Sequence, residues 1–186
     1  VFRLSATLTE DIDREAMQTA LDVTVRRFPS IAVRVKTGVF WYYLEEIAHA
    51  PEVCEEKPYP LVRMPFDDIR KCAFRVIIYG NRIAVEFFHA LTDGTGAMTF
   101  FKALIAEYLR LCGVNAPLGD IWNVNDTPTN EEFENAFKKV EKSKTSSGFV
   151  DKTAVQMNGR LTRRRPCRIL HFKMDATRLH EVAKAH

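Results

Sequence analysis

An α/β fold, a sheet backed by helices, is the architecture this sequence predicts, and three observations carry it. Residues 73–88, "AFRVIIYGNRIAVEFF", form two almost wholly apolar runs around Gly80-Asn81, as expected of a hairpin at the centre of a sheet. The opening "VFRLSATL" alternates, placing Phe2, Leu4, Ala6 and Leu8 on one face of a strand. Two further segments repeat apolar residues at helical spacing. Ile12, Ala16, Met17, Ala20, Leu21 and Phe28 mark the first, and Phe100, Phe101, Leu104, Ile105, Tyr108 and Leu109 the second.

The remaining elements follow in chain order. Thr9 can cap the first helix, Glu10 and Asp11 favour its positive N-terminus, and Pro29 ends it. "SIAVRVKTG" and "VFWYYLEE" read as two strands around a Thr37-Gly38 turn. Residues 48–72, with Pro51, Pro58, Pro60 and Pro65, read as irregular. Arg75 is the exception in the first run of the apolar hairpin. The second helix follows Gly96 and closes at Gly113. Residues 114–166 are polar and weakly periodic, with a helix expected over 130–142 and linker composition in "KSKTSSG". So long a stretch reads as a crossing connection or a partly disordered loop. "RILHFKM" resumes as a strand, and "DATRLHEVAKAH" as a helix capped by Asp175. Three regions result: a lobe over 1–113, a connection over 114–166, and a strand and helix over 167–186. The chain opens inside a strand and closes inside a helix, which is expected of a fragment.

Composition narrows the function. The 186 residues are 46% hydrophobic and carry a net charge of +3 from mixed signs, so no nucleic-acid footprint is expected. Arg163-Arg164-Arg165 reads as a solvated linker rather than a phosphate-binding patch. No apolar run approaches a membrane span and the start lacks a signal-peptide pattern, so a cytoplasmic protein is expected. Cys54, Cys72, Cys112 and Cys167 lie far apart without metal-ligand spacing, and read as free buried thiols.

The stretch with chemical content is "AVEFFHALTDGTGAMTFF", residues 84–101. An apolar strand ends on His89, Asp93 follows four residues later, and Gly94 and Gly96 let the backbone turn into a helix. A full helical turn that would let His89 and Asp93 share a metal is opposed by the strand before and the glycines after. A third ligand is also missing, so no metal is expected. No GxSxG elbow supports a serine nucleophile. On spacing alone, a His beside an Asp is more often a satisfied structural pair than a catalytic one. His49, His171, His180 and His186 have no partner at useful spacing.

"HALTDG" (His89 to Gly94) resembles the HxxxDG motif of the acyltransferases that share the chloramphenicol acetyltransferase-like fold. Its surroundings resemble that family in the same order: "RRFPSIAVRV", then "CAFRVIIYG", then "RIAVEFFHALTDGTGAMTFFKALIAEYL". The character is closest to the microbial alcohol acetyltransferases. Condensation domains usually carry two adjacent histidines, and Phe88 stands before His89 here. The DFGWG motif of the plant BAHD branch, which belongs to the second lobe, is absent. The resemblance implies a two-layer sandwich, a mixed β-sheet backed by helices, present here as an N-terminal lobe and the opening of a second.

The resemblance also implies a function. An acyl group passes from acyl-CoA, or an acyl-carrier thioester, to the hydroxyl or amine of a small acceptor. His89 is then the general base. Asp93 is structural and pairs with an arginine, for which Arg75 is the candidate because a lone cation in an apolar strand needs a counter-ion. Gly94 keeps the motif turn free of a side chain. The missing lobe, or another copy of the chain, supplies the facing tunnel wall, so the isolated chain is expected to be inactive. The alternatives are a non-catalytic binding or assembly lobe and a carrier-dependent condensation-type transferase.

Overall fold

The computed structural model describes residues 1–57, 60–114, 117–129, 132 and 173–185. The chain divides into two compact units, Val1–Lys139 and Val140–His186.

The first unit is a mixed α/β layer structure. Its strands are β1 (Phe2–Thr7), β2 (Val33–Thr37), β3 (Tyr42–Glu46), β4 (Cys54–Glu55), β5 (Phe74–Tyr79) and β6 (Arg82–Phe87). Its helices are α1 (Arg14–Arg27), α2 (Phe66–Ile69) and α3 (Gly94–Leu111). The main sheet has the order β1-β6-β5-β4, antiparallel except for the parallel β4–β5 pair. The apolar hairpin is therefore central, as the two runs around Gly80-Asn81 predict. Gly80 takes a φ of +52°, a left-handed turn conformation that suits glycine. β2 and β3 form a separate antiparallel pair, the second expected hairpin.

Register and pleat divide the main sheet into two chemistries. Phe2, Phe87 and Phe74 lie in one cross-strand row, Leu4, Val85 and Val76 in the next, and Ala6, Ile83 and Ile78 in a third. All three rows join the core formed with Met17, Ala20 and Leu21 of α1 and Phe100, Phe101 and Leu104 of α3. Phe100 meets Phe28, Phe74 and Phe87 edge-on at 5.3–6.0 Å. The residues between them point the other way, and there Arg3, Glu86 and Arg75 share a row.

Several boundaries differ from expectation. Thr9 does not cap α1; Asp13 does, accepting from the Ala16 amide at 2.7 Å. The Asp13 amide in turn donates to the Tyr108 hydroxyl of α3 at 3.0 Å. α3 begins at Gly94, ahead of the expected start after Gly96. The segment read as irregular holds β4 and α2. Polar groups of α1 pin it: Arg14 donates to the Val53 carbonyl, Gln18 to that of Pro51, and the Val53 amide donates to Gln18. Of the cysteines, Cys72 is buried, but Cys54 and Cys112 are exposed, against the reading of buried thiols. Burial pushes the Cys72 thiol up to about 11.

The expected helix over 130–142 (residue 132 aside), the linker, Arg163–Arg165, Cys167, His171 and most of the expected strand 168–174 lie outside the described residues. In the second unit, α4 (Ala176–Ala185) is a helix capped as expected. The Asp175 carboxylate accepts from the Thr177 and Arg178 amides at 2.9 and 3.1 Å. Among the described residues no helix is long and apolar enough to cross a membrane.

Candidate active site

The motif loop begins where β6 stops. The Phe88 amide donates to the Ala73 carbonyl and the Leu91 amide to the Phe88 carbonyl, each at 2.9 Å. That closes a turn with His89 at its second position. His89 is exposed, so the central strand carries it out of the core and into solvent. Its ring centroid lies 4.7 Å from that of Phe2, tilted by 52°.

Asp93 is the N-cap of α3. Its Oδ1 accepts from the Gly96 amide at 2.8 Å, and its carbonyl from the Ala97 amide at 3.1 Å. The carboxylate also lies at the positive end of an 18-residue helix, where a negative charge is favoured. Asp93 thus anchors the turn to the helix by capping, with no hydrogen bond to His89 among the described residues.

The structure does not pair Arg75 with Asp93. Arg75 lies opposite Glu86 in the hairpin register, and its Nε and Nη2 donate to Glu86 Oε2 at 2.8 and 2.5 Å. The counter-ion expected of a cation in an apolar strand exists, but it is the cross-strand neighbour, because the two-residue turn sets 75 against 86. Glu86 is fully buried and also accepts from Arg3 and from the Leu61 amide, at 3.2 and 2.9 Å. Leu61 has a φ of 58°, uncommon for a residue with a branched side chain, and Glu86 and Arg75 hold it there: Arg75 also donates to the Val62 carbonyl at 2.7 Å. Arg3 continues the network to Glu56, which also accepts from Arg82. The Arg3 guanidinium holds the Glu56 carboxyl below the usual carboxylate range.

The steric demand in the loop falls on Gly96 rather than Gly94. A Cβ on Gly94 meets nothing within 4 Å, whereas one on Gly96 comes within 2.3 Å of Thr92 Oγ1. A cleft in the charged face stands apart from His89. That cleft, of about 590 Å3, is lined in part by Arg75, Glu86, Glu56 and His49. A cavity of about 300 Å3 lies under the motif loop, between Leu91, Thr92 and Gly96 on one side and Arg27 and Trp122 on the other. Arg27 there is paired with Glu132 and stacked over Trp122, 4.7 Å from its ring centre. Among the described residues no group of three or more His, Cys, Asp or Glu could hold a metal ion.

Glu86 as the partner of Arg75, the close approach of Gly96 to Thr92, and Phe2 as the neighbour of His89 are not among the sequence expectations. The first had a findable signal, the hairpin register; Gly96 and Phe2 needed the three-dimensional approach of Thr92 and of His89.

No protein-family model matches the chain, and no curated protein matches it. Solved structures are similar over part of it. Polyketide synthase associated protein 5 from Mycobacterium tuberculosis is 16% identical, with a TM-score of 0.49, over 68% of this chain and 32% of that one. SgcC5 from Streptomyces globisporus, in complex with (R)-(-)-1-(2-naphthyl)-1,2-ethanediol and sucrose, is 14% identical, with a TM-score of 0.47, over 62% and 32%. The X-domain from teicoplanin biosynthesis is 20% identical, with a TM-score of 0.45, over 65% and 31%. The chain spans about a third of the length of each. Similarity of this degree assigns no activity.

Proposed function

We propose that the chain is the His-bearing lobe of an acyltransferase that moves an acyl group from a CoA thioester to the hydroxyl or amine of a small acceptor. The observation that carries this reading is the placement of His89. A buried central strand delivers it to solvent on a turn that Asp93 fastens to α3, within a sequence that resembles the HxxxDG acyltransferases.

The chemistry asks little of the protein beyond a placed base. The His89 imidazole takes the proton from the acceptor as the acceptor's oxygen or nitrogen attacks the thioester carbonyl. Collapse of the tetrahedral intermediate expels the thiolate, which recovers the proton from the imidazolium. The products are an ester or amide and a free thiol. A positioned base contributes about 10²–10⁴-fold in rate, so orientation and oxyanion stabilisation supply the rest. In this lobe His89 faces solvent, which supports a facing wall contributed by further chain or by a second copy.

The test is thioester consumption by the full-length protein against a panel of alcohols and amines. His89→Ala should lower turnover by about 10²–10⁴-fold with unchanged melting. Undiminished transfer by the variant would overturn the reading.

A further inference from the structure

We propose that Phe2 is a positioning residue for His89, holding the imidazole from the first strand; this rests on the acyl-transfer reading. Among the described residues, the hydrogen bonds of the motif loop join Phe88 to Ala73, Leu91 to Phe88, and Thr92 and Gly96 to Asp93, and none of them takes the imidazole. An exposed side chain with two free torsions occupies several rotamers unless a neighbour selects one. Phe2 is that neighbour, in a tilted aromatic contact 4.7 Å between ring centres.

The Phe2 ring is itself fixed. It stacks on Phe87 at 5.4 Å and 22°, in the same cross-strand row. Phe87 is fully buried and packs edge-on against Phe100, which is also fully buried. A continuous file of rings therefore runs from the α3 core through Phe87 and Phe2 to His89. Close packing makes its inner members rigid, and each passes that order to the next. Leucine at position 2 would keep the strand's apolar character and remove the flat face that the imidazole meets.

The experiment uses the full-length protein with isotope-labelled histidine, the His89 ring resonances being assigned by their loss in His89→Gln. A nuclear Overhauser contact between the Phe2 and His89 rings is expected, and needs no variant. Phe2→Leu should move both His89 ring-proton resonances toward those of free imidazole. It should also lower kcat by about ten- to a hundred-fold with KM for donor and acceptor unchanged, and Phe2→Tyr should restore both. Absence of the ring–ring contact in the parent protein, unmoved resonances in folded Phe2→Leu, or an unchanged kcat each overturns the proposal. Full turnover by His89→Ala instead strikes the acyl-transfer reading, and is read separately from the spectra.

Discussion

The two faces of the β1–β6–β5 sheet are made from alternate residues of the same strands, yet they are held together by opposite means. Toward the helices, Phe2, Phe87 and Phe74 begin an apolar interior shared with α1 and α3. One residue along, Arg3, Glu86 and Arg75 form a charged row that reaches Glu56 and the backbone of Leu61 and Val62. The apolar side is non-directional, and any well-shaped side chain serves. The charged side is directional: its energy lies less in forming the row than in the cost of leaving a member unpaired. The difference teaches that a half-buried cation near a motif need not serve the motif. Arg75 belongs to the sheet, and Asp93 fastens the site through α3.

Truncations should break the two faces differently. Phe100→Ala, which empties the junction of four rings, should cost about 3–5 kcal/mol in denaturant unfolding. Glu86→Ala should cost a similar ~3–5 kcal/mol, because Arg3, Arg75 and the Leu61 amide lose their acceptor. Replacing Arg3, Glu86 and Arg75 together by Met, Leu and Met should cost less than Glu86→Ala alone. No arginine is then left without its carboxylate, although the Leu61 amide still loses its acceptor. By contrast, no combination of small substitutions should rescue Phe100→Ala. A triple variant as unstable as the single one would erase the distinction.

The loop offers finer contrasts. Gly96→Ala should cost about 1–3 kcal/mol, since Thr92 must move, while Gly94→Ala should stay within about 0.5 kcal/mol. Asp93→Ala should cost about 1 kcal/mol as a lost N-cap, seen as earlier fraying of α3 in amide exchange. The smallest effect is on acid stability. The Glu56 carboxyl is held low by Arg3 in the folded chain, so its contribution is complete above the unfolded carboxylate value, about 4.3, and lost as pH falls through the folded one. The denaturant midpoint should therefore drop below about pH 5, and Glu56→Gln should flatten that drop.

Much of this was readable in the sequence. Alternation in "VFRLSATL" and the paired apolar runs specify β1, β5 and β6, because period and turn chemistry are local properties. The placement of His89 at the strand's end was readable for the same reason. The β4 and α2 segment was not, since its order comes from Arg14 and Gln18, which are far away in sequence. The start of α1 was not readable either: Thr9 is the expected cap, and the structure uses Asp13, whose amide is held by the distant Tyr108 hydroxyl. The partner of Arg75 was readable in principle, by counting outward from Gly80-Asn81, and hidden only because a lone glutamate in an apolar run reads as an interruption.

That turn also governs which insertions the chain can tolerate. One residue added or lost between Tyr79 and Arg82 shifts β6 by a single step against β5 and exchanges its two faces. Glu86 would enter the helix layer, Val85 would meet the arginines, and the strand would hand His89 to the wrong side. Two such changes together restore the pleat. Natural length variation in this hairpin should therefore come in even steps, and an odd one should appear only with a compensating bulge.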